Sequence, residues 1–163
     1  MGLFGCSGPD VSVYKDETPV LNIQEYLQGD VEAWGIVEDY SGKVISRFYV
    51  LMQADWKGKN GTLKEFFTYE DGTKKQREWK LEMLADGKFR GTAPDVIGEM
   101  RGESAGNAAA MQYVLELPVK GSIYRFKFDD RLYQLDAKHV MNRAKMKKFG
   151  ITVAQMTLFF SKK

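Results

Sequence analysis

The sequence predicts an all-β fold, a single antiparallel β-barrel with a short N-terminal helix. Three observations carry this. From Val31 onward, apolar-rich stretches recur about every ten residues with turn residues between them. No connection is long enough to hold a crossover helix, so consecutive strands are hairpin-linked and antiparallel. Many evenly spaced strands create exposed edges, and closing the sheet removes them. A β-sandwich is the alternative. At 163 residues the chain is one domain, large enough to bury a core without staples. We place the barrel at residues 18–163, after an N-terminal stretch at 1–17.

Thr18-Pro19 opens the one convincing helix. Thr18 suits the N-cap, Pro19 the first helical position and Gly29 the stop. Val20, Ile23 and Leu27 recur at helical spacing, which predicts a short amphipathic helix across one barrel end. Eleven strands follow, near 31–39, 44–54, 62–69, 74–84, 88–93, 96–103, 108–117, 122–128, 131–136, 139–147 and 151–160. Turn signals between them include Ser41-Gly42, Gly58 with Asn60-Gly61, Asp71-Gly72, Asp86-Gly87, Lys120-Gly121 and Asp129-Asp130. Gly98, Gly102 and Gly106 match no phosphate-binding spelling and read as bends or close strand contacts.

Two hairpins can be registered. Glu70-Asp71-Gly72 reads as a three-residue loop with Gly72 in the left-handed region. That sets Phe67 opposite Lys75, Glu65 opposite Arg77, and Leu63 opposite Trp79. Ala85-Asp86-Gly87 repeats the device and pairs Met83 with Phe89. By parity Leu63, Phe67, Trp79, Leu81, Met83 and Phe89 share one inward face, with Glu65 and Arg77 as a charged pair inside it.

Composition narrows the partners. The chain has 24 basic and 22 acidic residues, a formal net charge of +2. It lacks the concentrated basic face that phosphate binding needs, so no nucleic-acid partner is expected. Lys145, Lys147 and Lys148, and the terminal Lys162 and Lys163, read as solvated faces or ends. No run of about 18 apolar residues is present, so no transmembrane helix is predicted. Ten Phe, eight Tyr and three Trp suit sheets and apolar cavities.

Cys6 is the one cysteine and His139 the one histidine. They make a poor metal site and a weak nucleophile–base pair, and no metal or cofactor is implied. Position gives Cys6 a better reading. Leu3-Phe4-Gly5-Cys6 resembles the lipobox of bacterial lipoproteins, with Phe4 bulky for its slot, and Ser7-Gly8-Pro9-Asp10 reads as tether. A basic and hydrophobic leader is then expected upstream. The resemblance implies export, acylation at Cys6 and, with Ser7 after the cysteine, the periplasmic face of the outer membrane.

The candidates for chemistry are few. Glu65–Arg77 could bind a polar head group, poise an acid or only fix register. Trp79, Tyr113, Tyr124, Phe126 and Tyr133 sit on predicted strands and could line an apolar cavity, or fill the core themselves. Asp129-Asp130 lacks a third ligand nearby and reads as a hairpin turn. No Ser–His–Asp order is persuasive, so no catalytic residue is assigned. Trp34, within Ala33-Trp34-Gly35, holds the chain position of the lipocalin first-strand tryptophan. Arg143 would be the late-strand arginine that closes such a barrel over it, although the Gly-x-Trp spelling is absent. This makes the expected barrel lipocalin-like.

Several spellings together resemble a known set. They are Glu32-Ala33-Trp34-Gly35, Gly61-Thr62-Leu63 with Glu65 and Phe67, Arg77 with Trp79, Phe128-Asp129-Asp130 with Tyr133, Asn142-Arg143 with Met146, Lys148-Phe149-Gly150, and Thr157-Leu158 with Phe160. This set resembles a family of uncharacterised proteobacterial lipoproteins, domain of unknown function three-eight-three-three, over nearly the whole chain. The resemblance implies an exported, acylated, lipocalin-like barrel of no established activity. Genes of the family often sit near those for fatty-acid-modifying methyltransferases and amine-oxidase-like proteins, which hints at fatty-acid modification or envelope stress.

Three functions are therefore expected in descending order. The first is a monomeric, non-enzymatic binder of a lipid or other small apolar molecule. The second is an enzyme acting on a lipid or isoprenoid, with Glu65, Arg77 and His139 in polar roles. The third is a structural or interaction lipoprotein with a filled core.

Overall fold

The computed structural model describes residues 8–163. Cys6 and the lipobox lie outside the described residues. Ten strands follow one another: β1 (Gly29–Asp39), β2 (Val44–Lys57), β3 (Asn60–Tyr69), β4 (Lys74–Met83), β5 (Lys88–Thr92), β6 (Met100–Ala105), β7 (Ala108–Val119), β8 (Ser122–Gln134), β9 (His139–Lys148) and β10 (Ile151–Lys162). Each pairs antiparallel with its chain neighbours. β1 and β10 pair from Val31–Lys162 to Asp39–Ala154, which closes the barrel.

The predicted registers hold. Glu65 faces Arg77, Leu63 faces Trp79, Phe67 faces Lys75, and Met83 faces Phe89. The reason is local. At the β3–β4 turn the Gly72 N–H donates to the Tyr69 carbonyl and Gly72 has φ 84°, so one glycine absorbs the left-handed step.

One predicted turn is a strand interior. Asp129 and Asp130 lie within β8, which joins the two segments expected at 122–128 and 131–136. The ladder to β7 runs unbroken through both, with Asp129 opposite Gln112 and Asp130 opposite Met111. Alternation explains it. Phe126, Phe128, Asp130 and Leu132 share the inward face, so Asp130 interrupts the apolar pattern of that face without interrupting the strand. The strand expected at 96–103 also splits. Residues 93–99 are a connection, and β6 begins at Met100.

The helix is shorter and later than expected. Helix α1 (Ile23–Tyr26) has Asn22 as N-cap, whose Oδ1 accepts from the Glu25 N–H at 3.1 Å. Thr18–Pro19 is a cis peptide in a bend, and the Leu21 N–H donates to the Gly106 carbonyl at 2.9 Å. That bond ties the stretch before Asn22 to the barrel and leaves Val20 exposed. Leu21, Ile23, Tyr26 and Leu27 are buried, so the helix still plugs one barrel end. Lys162, expected as a solvated end, instead caps this plug. Its Nζ donates to the carbonyls of Glu25, Tyr26 and Gln28 at 2.7, 2.9 and 3.2 Å, where helix dipole and cation attract.

The expected tether is packed where it is described. A 3-10 turn (Val11–Tyr14) lies against β6 and β7, Val11 is buried, and Arg131 donates to the Pro9 carbonyl. Gly106 makes this docking possible. A Cβ there would stand 1.6 Å from the Tyr14 carbonyl oxygen.

Candidate functional site

The inward face of β3 and β4 builds the site. Glu65 and Arg77 are cross-strand partners pointing into the barrel, and their neighbours two residues away, Leu63, Phe67 and Trp79, are apolar. Arg77 Nη1 reaches Glu65 Oε2 at 3.4 Å. The Trp79 indole N–H donates to the same oxygen at 3.3 Å. The Arg77 guanidinium lies 5.6 Å from the Phe67 ring centroid and 6.0 Å from that of Trp79, within cation–π reach of both.

The tighter partner of Arg77 is Asp95. Arg77 Nε donates to Asp95 Oδ1 and Oδ2 at 3.1 and 3.0 Å, and Nη2 to Oδ2 at 2.8 Å. Asp95 lies on the 93–99 connection, which is stitched to β7. The Glu116 N–H donates to the Asp95 carbonyl and the Ile97 N–H to the Val114 carbonyl. This connection replaces a strand beside the first half of β4, because β4–β5 pairing covers only Lys80–Met83. The barrel wall is notched there, and Arg77–Asp95 spans the notch.

A second polar group faces the first. The Tyr113 hydroxyl donates to Asp130 Oδ2. Asn142 Nδ2 donates to Asp130 Oδ1 at 3.4 Å and to the Arg131 carbonyl at 3.0 Å. The Tyr113 ring stacks on Phe128 at 5.2 Å and meets Trp79 edge-on at 5.5 Å, so aromatic packing joins the two groups.

Burial sets the charges. It pushes the Asp130 carboxyl up to about 6, against the hydrogen bonds from Tyr113 and Asn142. Burial also raises Glu65, against the opposing pull of Arg77 and Trp79. It raises the Tyr113 hydroxyl, with the Asp130 charge acting in the same direction. For Arg77 burial disfavours the cation, but Asp95 and Glu65 outweigh it and raise its pKa.

These side chains border a cavity of about 130 Å³ that reaches to Ile23 and Leu27 of the α1 plug. Its wall is otherwise apolar and includes Met52, Met100, Met111 and Met156. A groove of about 530 Å³ outside the wall, between Lys64, Gln76 and Pro94, shares Glu65 and Arg77 with the cavity. The two side chains therefore stand where the interior meets the notch. Among the described residues, no group of three or more His, Cys, Asp or Glu could hold a metal ion.

Residues 1–162 match the family described as protein of unknown function (DUF3833). The chain belongs to that family. No curated protein matches it.

The other predicted site residues of this DUF3833 chain are dispersed. Phe126 is inward and buried but lies outside the cavity lining. Tyr124 is 40% exposed at the rim opposite α1, under the Lys148 ammonium. Tyr133 lies on the outer face, where its ring meets Tyr14 edge-on at 5.7 Å, because β8 running through Asp129 and Asp130 fixes its parity outward. Trp34 and Arg143 do not form the expected closing pair. Trp34 is outward and 49% exposed, against Tyr49 at 5.8 Å. Arg143 is exposed on β9, which does not neighbour β1. The β1–β10 ladder closes the barrel instead. His139 is an outer-face residue, 2.8 Å from Asp136 and stacked on Phe159.

Three site residues escaped the sequence reading. Asp130 and Asn142 could have been found from parity, since each alternates with apolar inward neighbours once its strand is read as continuous. Asp95 had no such signal. It sits on an irregular connection, and its partner is eighteen residues away in sequence.

Proposed function

We propose that this protein is a lipid-anchored barrel of the cell envelope that binds an amphiphile, without transforming it. The cavity carries the reading. Its apolar wall would take a short hydrocarbon group, and Glu65 and Arg77 at the notch would take the polar end. Size sets the fit. Apolar cavities of about 150 Å³ hold benzene, so about six carbons fit the space as it stands. Longer chains require the four cavity methionines to move, and unbranched thioether side chains repack readily. The architecture also suits a lipocalin-like reading. Attachment through an acylated Cys6, at the periplasmic face of the outer membrane, rests on the lipobox spelling.

Native mass spectrometry of the protein extracted from its own envelope tests this. A co-purifying amphiphile, lost when Leu63→Trp fills the cavity, is the expected result. Apo mass alone, with Leu63→Trp no different, overturns the reading.

One observation favours a second reading, an enzyme acting on a lipid. A carboxyl near 6 beside a tyrosine hydroxyl lies in the range useful for proton transfer. If extracted lipid returns chemically altered by the wild type and unaltered by Asp130→Asn, this second reading replaces the first.

A further inference from the structure

Two adjacent hairpin tips stand at the barrel end opposite the α1 plug. They join β7 to β8 at 119–122 and β9 to β10 at 148–151, and β8 pairs with β9. Both are turns with two successive left-handed residues, Lys120-Gly121 with φ 49° and 82°, and Phe149-Gly150 with φ 52° and 74°. Such turns favour Asn or Asp before Gly, and a bulky aromatic at positive φ is disfavoured. Folding alone gives no reason for Phe149, whose side chain is 91% exposed. Ile123 on the β7–β8 tip and Ile151 on the β9–β10 tip are 72% and 67% exposed.

The surrounding charge has one sign. Residues 117–128 and 137–163 contain no Asp or Glu. Lys120, Arg125, Lys127, Lys145 and Lys148 fall on these tips and their strands. Glu116 on β7 is paired with Arg125 at 3.0 Å. Lys148 bridges the two tips, its ammonium 5.2 Å from the Tyr124 ring centroid and 4.9 Å from that of Phe149. The neighbouring β1–β2 tip carries Asp39 and the β3–β4 tip Glu70 and Asp71, so the stretch of like charge ends at β10.

Exposed apolar side chains projecting from a lysine collar match a bilayer surface with anionic head groups. The hydrocarbon enters the interfacial region while the ammonium groups stay at head-group level. A protein partner would more commonly present acidic side chains and would not need the apolar groups at the outermost turn positions. We propose that the paired β7–β8 and β9–β10 tips insert into an anionic lipid surface, with Phe149 and Ile123 as the inserted groups. This contact is separate from any acyl anchor and does not depend on a ligand in the cavity.

Vesicle co-sedimentation tests it, using the full chain with Cys6→Ala so that no acyl group contributes. The vesicles are phosphatidylcholine with or without about one-third phosphatidylglycerol. Binding is expected to the anionic vesicles, weaker at high salt. It should fall about tenfold in Phe149→Ser and further in Ile123→Ser/Phe149→Ser, with unchanged melting temperatures. Lys148→Gln/Lys120→Gln should weaken binding to anionic vesicles. A fluorescent tryptophan in Phe149→Trp should shift to the blue on binding, against the wild-type tryptophan background. Absence of binding to anionic vesicles overturns the proposal. So does binding without any change in the Phe149→Trp signal, which would mean charge attraction without insertion. Equal binding by Phe149→Ser overturns it as well.

Discussion

Arg77 donates from two nitrogens to the Asp95 carboxylate across the notch in the barrel wall, at 2.8 to 3.1 Å, whereas Arg77 and Glu65 meet at 3.4 Å. The pair visible from strand register is thus the looser half of a three-residue group. Its tighter half holds an irregular connection against β4. Removing the cation leaves two carboxylates facing each other in a partly dry site. Arg77→Met should therefore cost about 3 kcal/mol in urea unfolding, and Glu65→Gln in the same chain should recover part of that loss. Additive losses in the double variant would contradict this coupling.

Asp130 gives the fold a pH dependence of definite sign. Its folded pKa, about 6, exceeds its ordinary 3.8. The associated stabilisation is complete below the unfolded value and is lost as pH rises through about 6. Glu65, also raised, acts in the same direction. Carboxylates with depressed pKa, such as Glu32, Glu70 and Glu78, act in the opposite direction only near pH 4, so unfolding midpoints should fall as pH is raised from about 5 to about 7. Asp130→Asn should flatten much of this slope and gain stability at neutral pH. Parallel pH profiles for the two proteins would refute the assignment.

Much of this architecture is legible in the sequence because strand alternation and glycine-marked hairpins are local signals. The Gly72 turn places Glu65 against Arg77 from a dozen residues of chain. The features that were not legible are those set by distant contacts. Leu21 bonded to Gly106 displaces the helix start to Asn22, and β8 runs through Asp129-Asp130 because long ladders to β7 and β9 override a local turn preference. The Asp95 partner lies on a connection with no periodicity to read.

Gly106 is expected to be the most sensitive glycine of those read as bends. A methyl there meets the Tyr14 carbonyl backbone at a positive φ of 54°, so Gly106→Ala must push the N-terminal segment away. At Gly98, also at positive φ (69°), open space surrounds the added carbon. Gly98→Ala should cost about 1 kcal/mol, and Gly106→Ala clearly more. Hydrogen exchange in Gly106→Ala should rise over residues 10–21. Equal costs at the two sites would count against the docking described.

Lys162 should matter through the α1 plug rather than through net charge. Lys162→Met removes a cation bonded to three helix-end carbonyls and should lower stability by roughly 1–2 kcal/mol. Lys163→Met, whose loss removes only an exposed pair with Glu32, should change it little. Urea melts of both variants compare the two directly.

The central claim is a cavity that accepts a short hydrocarbon with its polar end at Glu65 and Arg77. Methyl NMR of the methionines under titration with 1-hexanol tests it most directly. The account predicts saturable shifts of the Met52, Met100, Met111 and Met156 methyls, with Met141 unmoved, and loss of the shifts in Leu63→Trp. Shifts absent at saturating alcohol, or spread evenly over all the methionines, would contradict it.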